Sequence, residues 1–566
     1  MLVMNVIAEI LKREGVSTLF CFPTTPIIEA AAAVGIKPVI CRQERVGVHM
    51  ADGFSRVSNG RPPGVFAMQY GPGAENAFAG VATAFSDSSP VVFLPLGHPR
   101  ETAQLFPMFK SSRTYASITK SVEEVILPDE IGNVMRRAFS QAKNGRPGPV
   151  MVEVPADVHS SEVNVDPSKY QPVRATRSAG DPRDIDEAAG MLLAASCPMI
   201  LAGQGVFYAE ATGELRQLAE LLQAPVIDNR SRMNMPNTHY LCQSERATNL
   251  LAQADCILSL EPVDLFGQLH AMRDQLERTE ISRTGKSVKV ISISTRDLLV
   301  HSNYQDFQRY VGADLSITAD AQTTLPFLIE AVQQETGSGR RNSIAMRGEK
   351  LRDAYSGLAE LARAEAALAW DASPISTARM YMELWELIRN EDWALVSDGD
   401  FSSRWPHRLW PLEKHYRFIG GPGGYGVGYQ SVAALGAALA HRDAGGRVVI
   451  SITGDGEFNM APHTPWTAAH HGIPYLTIIQ NNRAYHQEVM HVQRMANRHN
   501  RGVRNAHIGT TIDNPNVDYV KIAQGYGAVG IGPITDPNDL SQAFRRGIAA
   551  VKAGQPALID VVTQPR

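Results

Sequence analysis

Short apolar runs alternate with stretches of helical period from the start of the chain. "TLFCF", "PVIC", "GVFAMQ", "PVVFLPL" and "PVMVEV" read as strands, and the segments between them as helices. That alternation predicts βαβ units around a parallel sheet. The opening "MLVMNVIAEILKREGV" carries its apolar residues at helical spacing and no basic leader with a cleavage site, so it is expected to be the first helix of the fold. A Pro-, Ser- and charge-rich stretch, 159–185, reads as a linker. A second block follows with "PMILAG", "APVID", "CILSLEP" and "VKVISIS" as strands, ending near residue 335. The Gly/Ser cluster "QQETGSGRRNS" reads as another linker, and a charged helical stretch leads to a third block with "WALVSDGD", "RVVISITGDG", "PYLTIIQNN" and "PALIDVV". The expectation is α/β throughout, with three doubly wound parallel-sheet domains at 1–160, 186–335 and 365–566.

Composition narrows the function. With 566 residues, 44% hydrophobic and 20% charged, and no apolar window near the ~18 residues of a membrane span, the chain is expected to be soluble. A net charge of −4 argues against a nucleic-acid or membrane-surface binder and for a small-molecule ligand. The five cysteines, Cys21, Cys41, Cys197, Cys242 and Cys256, include no CxxC pair, which indicates neither a zinc site nor a disulfide framework and suits a reducing cytoplasm.

Candidate chemistry centres on "TGDGEFNM" (453–460), at the end of the run "RVVISIT". One Gly-Asp-Gly is ordinary turn chemistry. A helix is expected over "EFNMAPHTPWTAAHHG", followed by the strand "PYLTIIQ", which empties into Asn481-Asn482. Ligands of parallel α/β sheets sit beyond the carboxyl ends of strands, so this unit delivers Asp455 and Asn482 to one edge. One anionic and one neutral oxygen suit Mg²⁺, which completes its octahedron with phosphate oxygens and water.

With Asn482 27 positions after Asp455 and glycines flanking the aspartate, the sequence resembles the thiamine diphosphate-dependent enzymes. The resemblance implies that Asp455, the Asn482 side chain and the Ala484 carbonyl bind Mg²⁺, with Gly454, Gly456 and Glu457 around the cofactor. "CRQERVGVHMADGFSR" is similar to the family's glutamate segment and implies Glu44 as the residue that activates the aminopyrimidine; as a purely structural matter, Glu44 could complement a helix N-terminus. "IGGPGGYGVGYQSVAALGAALA" is similar to the family's cofactor loop and implies that the Gly423–Gly426 backbone, with Gly423 and Gly424, faces the pyrimidine and that Tyr425 occupies the position of the bulky side chain that props the cofactor in its bent V shape, where the family often has Met, Leu or Ile. "SDGDFSSRW" implies Gly399 and Asp400 on the diphosphate side. The three domains thus become pyrimidine-binding, middle and diphosphate-binding. Because Glu44 and the metal motif lie in different domains, the resemblance implies a site between two subunits of a homodimer or homotetramer.

The reaction is less defined. The Phe-Gln-Glu run of acetolactate synthases is replaced by Phe106-Pro107-Met108, and "LSLEPVDLFGQ" offers no support for FAD or ADP in the middle domain. The His-His pair of pyruvate decarboxylases is missing from the first domain; His470-His471 lies in the third and reads as packing or surface. Tyr485, His486, Glu488 and His491 follow the metal motif as candidate proton donors, or as a polar helix face. Thr24, Thr25, Gln69 and Tyr70 fall where the family lines its substrate pocket, and "FPTTP" replaces a more usual glycine-bearing turn. "SRTGKSVK" (282–289) supplies cations for a CoA-type ligand, but no long segment follows the last strand to cover one. The expectation is a thiamine diphosphate- and Mg²⁺-dependent lyase or carboligase acting next to a carbonyl, on a 2-oxo acid, with an aldehyde or acyl-CoA substrate (2-hydroxyacyl-CoA lyase or oxalyl-CoA decarboxylase chemistry) as alternative. A non-catalytic thiamine-binding relative is the remaining alternative.

Overall fold

The computed structural model describes residues 1–23, 25–105, 110–203, 209–229, 232–272, 279–285, 287–295, 309–397, 404–424 and 427–565. Within them the apolar runs form three parallel sheets. The first contains β1 (Thr18–Cys21), β2 (Lys37–Ile40), β3 (Gly64–Met68), β4 (Val91–Gly97), β5 (Ser121–Glu124) and β6 (Val150–Pro155), in the order β2-β1-β3-β4-β6-β5. The second contains β7 (Pro198–Ala202), β8 (Val226–Asp228), β9 (Cys256–Leu260), β10 (Lys289–Ser294) and β11 (Leu315–Thr318), ordered β11-β10-β9-β7-β8. The third contains β12 (Trp393–Ser397), β13 (Val448–Gly454), β14 (Leu476–Asn481), β15 (Val529–Ile534) and β16 (Ala557–Val562), ordered β12-β13-β14-β16-β15. Helices cover these sheets on both faces, which is why the central strands are continuous apolar runs and not alternating ones. β3, β9 and β12 are buried along their whole length.

Two local expectations change. The Gly/Ser cluster after residue 335 is not an open linker. Only a short break follows Glu335 before a 29-residue helix begins at Ser338, because the small residues fall in its first turn and good helix formers follow. The single helix expected after Gly-Asp-Gly is two, Asp455–Phe458 and Thr464–His471. Pro462 and Pro465 explain the break: neither can donate an interior helical hydrogen bond, and Pro465 instead occupies the first turn of the second piece.

The middle sheet has a core of its own, formed by residues between Ile185 and Leu351. The first and third sheets share one. Helices α1 (Glu44–Ser58) and α2 (Pro72–Ser86) cover the first sheet, and α3 (Gln430–Asp443) belongs to the third. α3 is buried on every side from Gln430 to His441, as expected for a helix of Ala, Leu and Val lying between two layers. It crosses α1 at backbone contact. A Cβ on Gly53 would lie 2.2 Å from the Ala433 carbonyl oxygen, and one on Gly436 would lie 1.9 Å from that of Met50. Small residues at the crossing therefore set how closely the first and third layers approach. None of the described helices is long and apolar enough to cross a membrane.

Candidate active site

β13 and β14 run parallel with Gly454 opposite Gln480, so their carboxyl ends emerge side by side. Asp455 follows β13 immediately and opens the short helix α4 (Asp455–Phe458). It is 1% exposed, and its Oδ2 is buried without a hydrogen-bond partner. Burial pushes its carboxyl up to about 6, against the opposing pull of the amides of Gly456, Asp455 itself, Arg483 and Ala484. Those amides show that the β14 exit loop wraps around the same carboxylate.

The loop is held by its own asparagines. Asn481 Nδ2 donates to Asp560 Oδ1 at 3.0 Å, and its Oδ1 accepts the Arg483 N–H at 3.2 Å. Asn482 Oδ1 accepts the Ala484 N–H at 3.0 Å. Two further backbone bonds, Ile512 N–H to Arg483 O at 2.7 Å and Tyr485 N–H to Thr510 O at 2.8 Å, fasten the loop to the segment behind it. Asp455, Asn482 and Ala484 are thereby brought together. Tyr485 turns its ring onto Gly456, where a Cβ would lie 2.6 Å from the ring. His486 and Glu488 start helix α5 (His486–Arg498), of which only Val489 is buried, and His491 is one turn farther on.

A cation would meet one carboxylate here, with amide and carbonyl oxygens. Among the described residues no cluster of three His, Cys, Asp or Glu side chains forms a metal site. The donor set suits a hard ion that draws the rest of its shell from phosphate and water. The unpartnered Asp455 Oδ2 is the observation that fits such an ion, since a buried carboxylate oxygen left without a partner is costly.

Glu457 is spent within the protein. Its Oε1 accepts the amides of Gly428 and Tyr429, both at 2.8 Å, and so ties the glycine-rich loop to the Gly-Asp-Gly turn. Gly423 and Gly424 lie against α2: a Cβ on Gly423 would meet Asp87 Oδ1 at 1.9 Å, and one on Gly424 would meet Thr83 Cα at 2.8 Å. Thr24, Gly399, Asp400, Tyr425 and Gly426 lie outside the described residues.

A second group gathers at the carboxyl edge of the first sheet. Glu44 is the first residue of α1, where a carboxylate complements the helix dipole. It is 4% exposed, accepts from Asn76 Nδ2 at 3.3 Å, and is raised above the usual carboxylate range by burial. A Cβ on Gly73 would lie 3.0 Å from both Glu44 Oε1 and Gln69 Cβ. Gln69 and Tyr70 leave β3 beside it, while Thr25 is buried and bonds the Phe22 carbonyl at 3.5 Å. Tyr70 packs on His98, with ring centroids 4.7 Å apart. Sequence reasoning missed His98; its place directly after the strand run "PVVFLPLG" is the signal that marks it. Among the described residues, no hydrogen bond joins Glu44 to the Asp455–Asn482 group within the chain.

His470 and His471 sit apart from both groups, as packing residues. His471 Nε2 accepts the Ile40 N–H at 2.8 Å and burial lowers its pKa to about 4, while His470 stacks on Trp466 at 4.5 Å.

Comparison with known proteins agrees along the chain. Residues 1–119 match the N-terminal TPP-binding domain of thiamine pyrophosphate enzymes, 185–328 their central domain and 399–561 their C-terminal TPP-binding domain. A probable acetolactate synthase large subunit of Methanocaldococcus jannaschii is 28% identical, over 99% of this chain and 91% of its own. Glyoxylate carboligase of Escherichia coli O157:H7 is 26% identical, over 98% and 92%. Among solved structures, the thiamine diphosphate-dependent 4-hydroxybenzoylformate decarboxylase of Rhodococcus jostii RHA1 superposes with a TM-score of 0.75 at 20% identity, covering all of both chains, which shows a shared fold.

Proposed function

The chain belongs to the thiamine pyrophosphate enzymes, and from that premise we propose that it is a Mg²⁺-dependent lyase or carboligase acting next to a carbonyl, with a 2-oxo acid as substrate. The observation that carries the reading is the buried Asp455 carboxylate with one oxygen unpartnered, held beside Asn482 at the carboxyl ends of two parallel strands. The names of the relatives, acetolactate synthase and glyoxylate carboligase, support carbon–carbon bond chemistry of this class.

In this reading Asp455, Asn482 Oδ1 and the Ala484 carbonyl would hold Mg²⁺ beside the diphosphate. Gly454, where a Cβ would meet nothing within 4 Å, leaves room for the ligand beside them. Gly399 and Asp400 act from the diphosphate side, and Gly423, Gly424 and Tyr425 from the pyrimidine side. Glu457 acts through the backbone, by fixing where the glycine loop lies. When bound, thiamine diphosphate would supply the nucleophilic carbon and the electron sink that carbon–carbon bond chemistry next to a carbonyl needs.

Glu44 holds a proton for that chemistry. Burial favours its neutral form, which can donate to a ring nitrogen of the aminopyrimidine, and Asn76 keeps the carboxyl oriented. Glu44 serves a site completed by the Asp455 group of a second copy, so a homodimer is the smallest active unit. Thr24, Thr25, Gln69 and Tyr70 line the substrate side, and Tyr485, His486 and Glu488 supply proton donors from the other. No role in this reading falls to the middle domain.

The test is mass spectrometry of products from purified protein with thiamine diphosphate and Mg²⁺, offered pyruvate, benzoylformate or a 2-hydroxyacyl-CoA. The expected result is CO₂ with an aldehyde or acyloin. Glu44→Gln, which keeps shape and removes the acid, is expected to lose about 100-fold or more of that activity. Aldehyde plus formyl-CoA from the thioester alone would move the protein to the acyl-CoA lyases. No turnover and no exchange of the cofactor C2 proton would leave a binding protein.

A further inference from the structure

We propose that the buried Arg56–Asp87 pair is a positioning device that holds the glycine-rich segment Ile419–Gly424 in its ligand-binding geometry, and so sets the affinity for thiamine diphosphate. The inference rests on the reading above. Arg56 lies on α1, three turns beyond Glu44, with its side chain 1% exposed. Its Nε donates to both oxygens of Asp52, at 3.2 and 3.1 Å, and its Nη2 to Asp87 Oδ2 at 2.5 Å. The remaining donor, Nη1, crosses to the third-sheet layer and bonds the carbonyls of Gly421 at 2.9 Å and Ile419 at 3.3 Å. Asp87 completes the grip, since its Oδ2 also accepts the Gly423 N–H at 2.8 Å. One ion pair therefore engages three backbone groups at alternate positions of the segment, Ile419, Gly421 and Gly423.

The chemistry of the pair explains what it does that apolar packing could not. A buried ion pair is costly, and well-packed apolar residues usually replace one without loss of stability. Apolar residues could not bond two carbonyls and an amide of an adjoining loop. The guanidinium does so because its donors lie in a rigid planar fork, two turned to carboxylates and one to carbonyls. The absent side chain at Gly423 fits the same purpose, because a Cβ there would lie 1.9 Å from Asp87 Oδ1 and lift the segment off its anchor. Tyr429, the residue before α3, reinforces the arrangement with its hydroxyl donating to Asp52 Oδ2 at 2.7 Å. A segment held in place costs nothing to order when ligand arrives. One that occupies its binding geometry a tenth of the time weakens apparent affinity about tenfold.

The experiment titrates full-length apoprotein with thiamine diphosphate at saturating Mg²⁺ by calorimetry, alongside urea unfolding of each variant. Asp87→Asn removes one of the two charges that hold Arg56 and weakens the grip on Gly423. Arg56→Lys keeps every charge but cannot reach both carbonyls, and it decides the matter if Asp87→Asn does not fold. The control is Glu14→Gln, the same kind of change in a buried ion pair remote from the segment, where Glu14 bonds Lys143 at 2.5 Å and the Tyr170 hydroxyl at 2.6 Å. The expected result is a Kd about tenfold or more higher in the Arg56 and Asp87 variants, with kcat restored at saturating cofactor, and a lower urea midpoint but wild-type Kd in Glu14→Gln. An unchanged Kd in a folded Arg56 or Asp87 variant, or an equal rise in the control, overturns the proposal. Failure of the wild type to bind thiamine diphosphate overturns the functional reading instead.

Discussion

His49 offers a test of how the shared core depends on pH. It lies on α1, wholly buried, with its ring edge-on to Tyr429 at 5.1 Å and its Nδ1 3.4 Å from the Gly428 carbonyl oxygen; Nε2 has no partner. Burial drives its pKa down to about 4; the Asp52 carboxylate and the Gly428 carbonyl oppose that shift, and the Arg45 and Arg56 guanidiniums add to it. The folded protein thus binds fewer protons than the unfolded chain, whose histidines titrate near 6.5. Stability from this residue is complete above that value and is lost as pH falls toward 4. Linkage between those two values puts the loss at about 2 kcal/mol between about pH 7.5 and about pH 5. His49→Phe keeps the ring against Tyr429, removes the titration and gives up only one long contact. Urea unfolding of both proteins at the two pH values isolates the difference, because His441 and His471, also lowered to about 4, remain in each. Wild type is expected to lose about 2 kcal/mol more than the variant on acidification. The same pH dependence in both proteins would refute the argument.

Three further substitutions follow from the same structure. Asp455→Asn removes a carboxylate that burial raises to about 6, so the apoprotein at neutral pH is expected to be as stable as wild type or more so, by up to about 2 kcal/mol. It should nevertheless lose the rise in melting temperature on adding Mg²⁺ with thiamine diphosphate, and a retained rise would remove Asp455 from the metal site. Gly436→Ala drives a methyl into the Met50 carbonyl and is expected to cost about 1–3 kcal/mol. Gly213→Ala, in the helix Ala209–Leu222 with no atom within 4 Å of the new methyl, should gain about 0.5–1 kcal/mol, and opposite signs in urea unfolding check both.

What the sequence reveals follows from the range of the interactions involved. A parallel strand buried on both faces writes itself as an unbroken apolar run, so the central strands of all three sheets are legible, and with them the edge to which Asp455 and Asn482 are delivered; the edge strands β5, β11 and β15, only partly buried, carry no such run and are missed. Glu44 stands out through the resemblance of its segment and not through local chemistry, which by itself marks only a carboxylate at the first position of α1. Local signals mislead where two compete: the stretch after Gly-Asp-Gly is rich in helix formers, yet Pro462 and Pro465 split it, and Ser338 and Gly339 look like a linker while filling a first helical turn.

Contacts across the chain leave no local trace. Arg56 meets Asp87 and the Gly421 carbonyl, 31 and 365 positions away, and no periodicity records that these groups will share one buried site. "MADGFSR" shows Asp52 and Arg56 as two charges on a helix face, where solvation is the ordinary expectation. Burial reverses that expectation. Once α1 and α3 cross at glycine contact, water cannot reach the guanidinium, and every donor it carries must find a protein acceptor. The carboxylates of Asp52 and Asp87 take two directions, leaving the loop carbonyls to take the third. A small-residue helix crossing, legible only as a preference for Gly and Ala, therefore compels a charged side chain to organise a loop in another layer.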